Sequence, residues 1–290
     1  MSEARRSATW SGVLAILLWS SLALMTLVTA TLPPFEVLAI SFAIGGASML
    51  MVARGSLRDR LVSLRQPWSA FALAVFALLG YHALYFIAFR HAPAIEVNLI
   101  NYLWPLLIVV LSVWLPNVRV HFAQLAGSAL GLLGVAVMLV QGHGISLRPE
   151  YLLGYLAAFS AALTWSGYSV LNRRHEGVPS SAIAGACLLV AAIAALLHCG
   201  FEISVAPTRM QWMILILMGL GPVGVAFRLW DRGTKHGDLA LLGTLSYAAP
   251  VLSTLLLLLS GRVQAHWSQA VALLFLLIGA WLSIRASTAD

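Results

Sequence analysis

Asn98, Asn101, Tyr102 and Pro105 fall three and four residues apart in an otherwise apolar stretch. On a helix that spacing puts two amides, a phenol and a proline on one face, and Trp104 borders them. Tyr81, Tyr85 and Phe89 form a second line, with His82 beside it. Trp165, Tyr168, Ser169 and Asn172 repeat the pattern later, as do Ser246, Tyr247, Pro250, Ser253 and Thr254, while Trp19, Ser20 and Ser21 sit in the first apolar stretch. Amides and hydroxyls can hydrogen-bond an ammonium and a carboxylate, and aromatic faces can stack on a ring or attract a cation. This chemistry suits a zwitterion with a ring, held weakly enough to be released. No GxSxG, HExxH, Walker A or CxxC motif accompanies it, so binding is favoured over catalysis.

Each of these residues also has a packing reading. Ser253 and Thr254 fit helix–helix glue. Trp19, Trp104 and Trp165 fit either a cavity lining or a core, and His82 fits either a ligand contact or a satisfied core histidine. His91 and His236 end matching stretches and read as structural polar contacts.

The elements that must carry these side chains follow from composition. Of 290 residues, 61% are apolar and only 9% charged, and the mean hydropathy is +0.92. That leaves too little polar surface for a water-soluble particle. A helix needs about 20 apolar residues to cross a hydrocarbon core. Ten stretches qualify: 9–30, 34–53, 67–89, 93–114, 121–140, 150–172, 179–199, 209–231, 237–259 and 265–284. No segment shows the alternating polarity of a membrane barrel. Connections are short and carry turn residues, as at Leu32-Pro33-Pro34, Gln141-Gly142-His143-Gly144 and Gly177-Val178-Pro179. Any function therefore has to be carried out inside the bilayer.

With the N-terminus inside, the inner side collects Arg5, Arg6, Arg54, Arg58, Arg60, Arg65, Arg119, Arg173, Arg174, Arg228, Arg232, Lys235 and Arg285. The outer side holds only Arg90, Arg148, Arg209 and Arg262. By the excess of basic residues in cytoplasmic loops, both termini are expected in the cytoplasm. This orientation accounts for the +7 net charge better than a nucleic-acid partner, because no basic cluster is interleaved with exposed aromatics. Trp10, Trp68, Trp114, Trp212 and Trp267 fall near span ends and read as interface anchors. Glu36 and Glu96 lie just inside outer helix ends, where they can complement a helix N-terminus. No acidic residue falls at mid-span, which favours facilitated over proton- or sodium-coupled movement. Cys187 and Cys199 share one apolar segment and read as small buried hydrophobes. No metal or cofactor is expected.

Sliding the chain by 145 residues superposes its halves. His121-Phe122-Ala123-Gln124 falls on His266-Trp267-Ser268-Gln269, Gly134 on Gly279, Tyr102 on Tyr247, Pro105 on Pro250, His91 on His236 and Pro34 on Pro179. With a shift of 146, Leu17-Leu18-Trp19-Ser20 falls on Leu163-Thr164-Trp165-Ser166. A near-constant offset is the mark of a duplication. Residues 1–145 and 146–290 are then two five-span units, and an odd span count inverts the second relative to the first. The expected fold is an all-α integral membrane protein of ten helices, two inverted five-helix repeats around a central cavity. Inverted repeats are typical of secondary transporters, whose site lies at the repeat interface. Pro105 and Pro250 supply paired kinks, and Gly221-Pro222, within Gly219–Gly224, reads as a hinge or as close packing.

Two five-helix units, each with Leu-x-Trp-Ser in its first helix and a Tyr-x-x-Pro helix before its fifth, resemble the drug/metabolite transporter superfamily. The similarity is to its ten-span branch of tandem EamA-type units and covers essentially the whole chain. Leu79-Gly80-Tyr81-His82-Ala83-Leu84-Tyr85-Phe86 with Asn101-Tyr102-Leu103-Trp104-Pro105 most resembles exporters of aromatic amino acids in that branch. The resemblance implies export of amino acids from a bacterial cytoplasm across the inner membrane, in a basket-like fold. One departure stands out. Many such units carry a glutamate after the Tyr-x-x-Pro helix, whereas here the stretches read Trp114-Leu115-Pro116-Asn117 and Ser260-Gly261-Arg262-Val263.

The expected substrate-binding residues are thus Trp19, Tyr81, His82, Asn98, Asn101, Tyr102, Trp104, Trp165, Tyr168 and Tyr247, with Pro105, Gly221, Pro222 and Pro250 as hinges. The expected partners are a small amino acid or related metabolite and the lipid bilayer; oligomeric state stays open, a monomer being compatible. A broad drug or metabolite exporter, a channel and an intramembrane enzyme are the rival readings.

Overall fold

The structure is a computed structural model that describes all residues except 1, 53–55, 63, 117, 119, 143–144, 146 and 289–290. Arg54, Arg119, Asn117, His143 and Gly144 therefore lie outside the described residues, as does the side chain of Arg60. Every described regular element is helical. In a bilayer no water is available to the backbone, so each span must satisfy its amides internally, and helices do so.

The first span is α1 (Glu3–Trp19) continued by α2 (Leu22–Thr29), and the second is α3 (Pro34–Val52). A short α4 (Leu57–Val62) precedes the third span, α5 (Trp68–His91). The fourth is split into α6 (Ala94–Asn101) and α7 (Trp104–Leu111), and the fifth is α8 (Phe122–Val140). The sixth and seventh are α9 (Leu152–Leu171) and α10 (Ile183–Phe201). The eighth runs through α11 (Arg209–Met218), a π-helical turn (Gly219–Val225) and α12 (Ala226–His236). The ninth is α13 (Leu239–Leu245) with α14 (Ala248–Leu259), and the tenth is α15 (Trp267–Thr288).

Nine of these are long and apolar enough to span a membrane by length and composition. The tenth, α9, has the length, 20 residues, but spends its second half on Thr164, Trp165, Ser166, Tyr168 and Ser169. The eighth span reaches His236, beyond the expected end at 231, because Asp231 and Lys235 neutralise one another inside the protein.

The main helix pairs join the two halves of the chain: α1 with α12, α3 with α10, α5 with α9, α7 with α13 and α8 with α15. Small residues let these backbones meet, as membrane helix packing favours. A Cβ added to Gly127 would stand 2.5 Å from the Gly279 carbonyl oxygen, and one on Gly233 2.9 Å from the Cα of Gly12. Trp10, Trp68, Trp114, Trp212 and Trp267 are all exposed on the outside of the bundle, consistent with a lipid interface. Cys187 is buried, but Cys199 is exposed on the outer face of α10. The expectation of two buried thiols is corrected there: α10 buries one stripe through Cys187, Val190, Ala191 and Ala194, and Cys199 points away from it.

Candidate functional site

Helix breaks shape the site. At Pro105 the missing N–H cannot bond to the Asn101 carbonyl, and the fourth span opens at Tyr102-Leu103 between α6 and α7. Pro250 has the same effect at Ser246-Tyr247, between α13 and α14. The first span also breaks, at Ser20-Ser21, where the two hydroxyls donate to the Ile16 and Leu18 carbonyls at 2.9 and 2.7 Å. Pro222 stays inside a helix, but one widened into π geometry. Trp19 Nε1–H donates to the Pro222 carbonyl at 2.9 Å, tying the first break to the π turn.

Around these breaks the aromatic rings form one continuous group. Trp19 lies 5.6 Å from Trp165, 5.1 Å from Trp230 and 5.9 Å from Phe227 between ring centroids. Trp165 also meets Tyr81 at 5.7 Å and Tyr168 at 5.4 Å, and lies almost parallel to Trp230. Trp104 closes the group edge-on to Trp230 at 6.0 Å. His82 stands beside Tyr81 and Phe42, and its Nδ1–H is held by the Leu78 carbonyl at 2.6 Å.

Two amides reach this group from α6. Asn101 Nδ2 donates to the Tyr81 hydroxyl at 3.1 Å, and the Tyr85 hydroxyl donates to Asn98 Oδ1 at 2.7 Å. Asn98 is anchored in turn by its Nδ2 on the Ala94 carbonyl at 2.9 Å. Asn101 is only 2% exposed, and its Oδ1 is buried without a hydrogen-bond partner. A buried acceptor left unmet costs about 1–3 kcal/mol, so Asn101 Oδ1 holds unused acceptor capacity beside the aromatic group.

Exposure is uneven along this group. Tyr81, Tyr85, Asn98 and Tyr102 are partly exposed and Phe89 is open, on the end of the bundle away from the N-terminus. Towards the N-terminal end, Trp230 is 0% exposed and Tyr168 2%. Beneath them lies a buried polar network. Lys235 Nζ donates to Asp231 Oδ2 at 2.9 Å and to the Val178 carbonyl at 3.0 Å. Asn172 Nδ2 donates to Asp231 Oδ1 at 2.9 Å and to Thr234 Oγ1 at 3.0 Å, and Trp230 Nε1–H donates to Ser169 at 3.1 Å. Further out, Arg5 pairs with Asp238 at 3.2 Å, and Asp238 caps α13 through the Leu241 amide.

Of the residues expected from sequence, Trp19, Tyr81, His82, Asn98, Asn101, Trp104, Trp165 and Tyr168 gather in this one region. Tyr102 stands beside it at the α6–α7 break. Tyr247 does not join them: it is fully buried in a separate cluster with Val135, Met138 and Val251, its ring filling the space over Gly131. Among the hinge candidates, an added Cβ on Gly221 would meet only Leu18, at 3.9 Å, while the neighbouring Gly219 and Gly224 abut α3 through Ile44 and Gly45. Lys235, assigned to the inner rim from sequence, is 3% exposed and belongs to the buried network with Asp231. Phe42, Phe227, Trp230 and Asp231 were absent from the expected site. The repeat held a signal for two of them, since an offset of 145 lays Phe227 and Trp230 on His82 and Tyr85.

Glu36 sits at the opposite end. Its carboxylate accepts from the Val205 amide at 3.2 Å, while Glu202 accepts from the Phe35 and Glu36 amides at the start of α3 and pairs with His198 at 2.9 Å. This joins the second and seventh spans by a capping cluster. Ser253 donates across to the Ser20 carbonyl at 2.7 Å, which is the glue reading.

The family model for EamA-like transporters matches residues 6–140 and 152–285. The chain belongs to the EamA-like transporter family. An EamA-like relative, the aromatic amino acid exporter YddG of Ancylobacter novellus, is 48% identical over 278 residues, covering 95% of this chain and 96% of the relative. The aromatic amino acid exporter YddG of Escherichia coli is 25% identical, with 97% and 99% covered. The biotin transporter of Salmonella typhimurium is 24% identical over 72% of this chain and 69% of its own length. A solved crystal structure superposes with a TM-score of 0.91 at 46% identity, covering 96% of each chain. The EamA-like chain is thus a multi-pass membrane transporter, and its aromatic, amide-edged group is partly exposed towards one end of the bundle and buried towards the other.

Proposed function

We propose that this protein exports amino acids, aromatic ones foremost, from a bacterial cytoplasm through the inner membrane, by alternating access and without obligatory ion coupling. The observation that carries this reading is the pairing of the Trp19–Trp165–Trp230 aromatic group with the unmet Asn101 Oδ1. The rings offer faces to an aromatic side chain, and the amide oxygen offers an acceptor to an ammonium. The similarity to the aromatic amino acid exporters of Ancylobacter novellus and Escherichia coli supports the same substrate class. Fixed charges would hold a zwitterion too firmly for release, and the rings and amides that edge the cavity carry none.

Residues 1–145 and 146–290 act as two inverted halves, with both termini in the cytoplasm. The contacts support this division. An offset of 145 carries Gly127 to Ala272 and Gly134 to Gly279, and the Gly127–Gly279 and Gly134–Ala272 contacts exchange places under it. The pairing of α1 with α12 likewise exchanges with that of α9 with α5. Such pairing is what a two-fold axis in the membrane plane produces. The closed end, at Trp230, Asp231 and Lys235, then faces the cytoplasm, and opening it exposes the same rings to the other side.

Counterflow in proteoliposomes tests the reading. Internal phenylalanine, tyrosine or tryptophan should accelerate uptake of labelled tryptophan, alanine should do so less, and a pH or sodium gradient should not be needed. A strict requirement for either gradient overturns the facilitative step. Acceleration by biotin equal to that by tryptophan would favour a broad metabolite exporter, a reading the biotin-transporter similarity keeps open.

A further inference from the structure

Outside the aromatic site, a pocket of about 360 Å³ opens on the N-terminal end of the bundle. It lies between the start of α1, the turn after α9 and the end of α12. Arg5, Arg173, Arg232, Lys235 and His236 line it against a single carboxylate, Glu176. Two of these cations are already matched, Lys235 by Asp231 and one terminal nitrogen of Arg5 by Asp238. Arg173 and Arg232 spend a nitrogen each on neutral acceptors, the Gly237 carbonyl at 3.0 Å and the Ser7 hydroxyl at 3.1 Å. The Nε of Arg5 is buried without a partner. Arg173 is pushed below its ordinary value, first by burial and then by Arg5, with Asp238 and Glu176 acting the other way. Guanidinium groups sharing one pocket repel one another, and a bound anion relieves that repulsion.

We propose that this pocket binds a phosphate group, held by Arg5, Arg173 and Arg232. The planar fork of a guanidinium matches phosphate oxygens two at a time, and the concave site gives the anion donors from three elements at once. The walls belong to both halves of the chain: α1 on one side, α12 and the turn after α9 on the other. A bound phosphate therefore fastens the same ends that the Arg5–Asp238 and Arg173–Gly237 contacts join. The phosphate can belong to an anionic lipid headgroup, since the spans leave the bilayer at this level, or to a soluble ion.

The test uses the full-length protein purified in neutral detergent, and it is independent of transport. Thermal stability is followed while inorganic phosphate replaces chloride at constant ionic strength. In parallel, retained phosphatidylglycerol is counted against phosphatidylcholine by native mass spectrometry. A ligand of the folded state should raise Tm along a saturable curve. Arg173→Gln and Arg232→Gln should each weaken binding by about tenfold, as expected for one lost charge-assisted contact. Arg232 is exposed, so its variant should fold even if Arg173→Gln does not. Stabilisation by phosphate alone supports the site with a soluble source; selective retention of phosphatidylglycerol supports it with a lipid source. The proposal is overturned if the wild type prefers neither ligand to its control, or if Arg232→Gln binds as tightly as the wild type.

Discussion

Asn101 carries the most specific information of any single side chain. Replacing it with leucine removes the unmet Oδ1 together with the bond to Tyr81, so the two effects on stability oppose one another. Asn101→Leu should leave stability, read from Tm, within about 1 kcal/mol of the wild type, while tryptophan counterflow falls by about tenfold or more. Loss of folding with no separate transport defect would make the amide structural. Trp165→Ala should impair tryptophan and phenylalanine more than alanine, and its 5% exposure implies a stability cost of about 3–5 kcal/mol. Equal loss for all substrates would remove its stacking role. Tyr81, Asn98 and Asn101 were legible in the sequence because helical spacing puts them on facing sides of two neighbouring spans. Trp230 and Asp231 were not, since they fall at the polar end of the eighth apolar stretch. A charge looks like a boundary until its partner, Lys235 four residues on, is seen to be buried with it.

Helix interruptions were legible where a proline causes them. Tyr102-x-x-Pro105 and Tyr247-x-x-Pro250 break the fourth and ninth spans at the same register, as a missing donor requires. The Ser20-Ser21 break carries no proline, and two hydroxyls competing for nearby carbonyls are a weak signal in a chain rich in serine. The π turn could not be read either, because glycine and proline together fit a hinge, a gap or a close approach equally well. Substitution separates these roles. Gly127→Ala forces a Cβ against the Gly279 backbone and should cost about 1–3 kcal/mol, read as a fall in Tm. Gly221→Ala meets only Leu18 at 3.9 Å and should leave stability, read from Tm, within about 0.5 kcal/mol of the wild type. If the π turn bends during the cycle, this variant should transport more slowly at unchanged stability. An unaltered rate assigns bending elsewhere.

At the scale of the molecule, the ten-helix bundle was readable from composition and hydropathy alone. What composition could not give is which end is sealed, because that depends on Trp230, Asp231 and Lys235 meeting across helices. Breaking this seal from one side leaves a buried charge unpaired. Asp231→Asn or Lys235→Met should each cost about 3–5 kcal/mol, whereas the paired change to two apolar residues should cost much less; thermal melts of the three variants check this. The crossing of α8 and α15 has a different meaning. Gly127 and Gly279 touch backbone to backbone at a place that the half-chain offset maps onto a contact of the same pair of helices. When two halves swap roles about an axis, a point on the axis stays where it is. Under the proposed two-fold relation of the halves, that crossing is the fulcrum of the machine: the helices turn about it while their far ends travel.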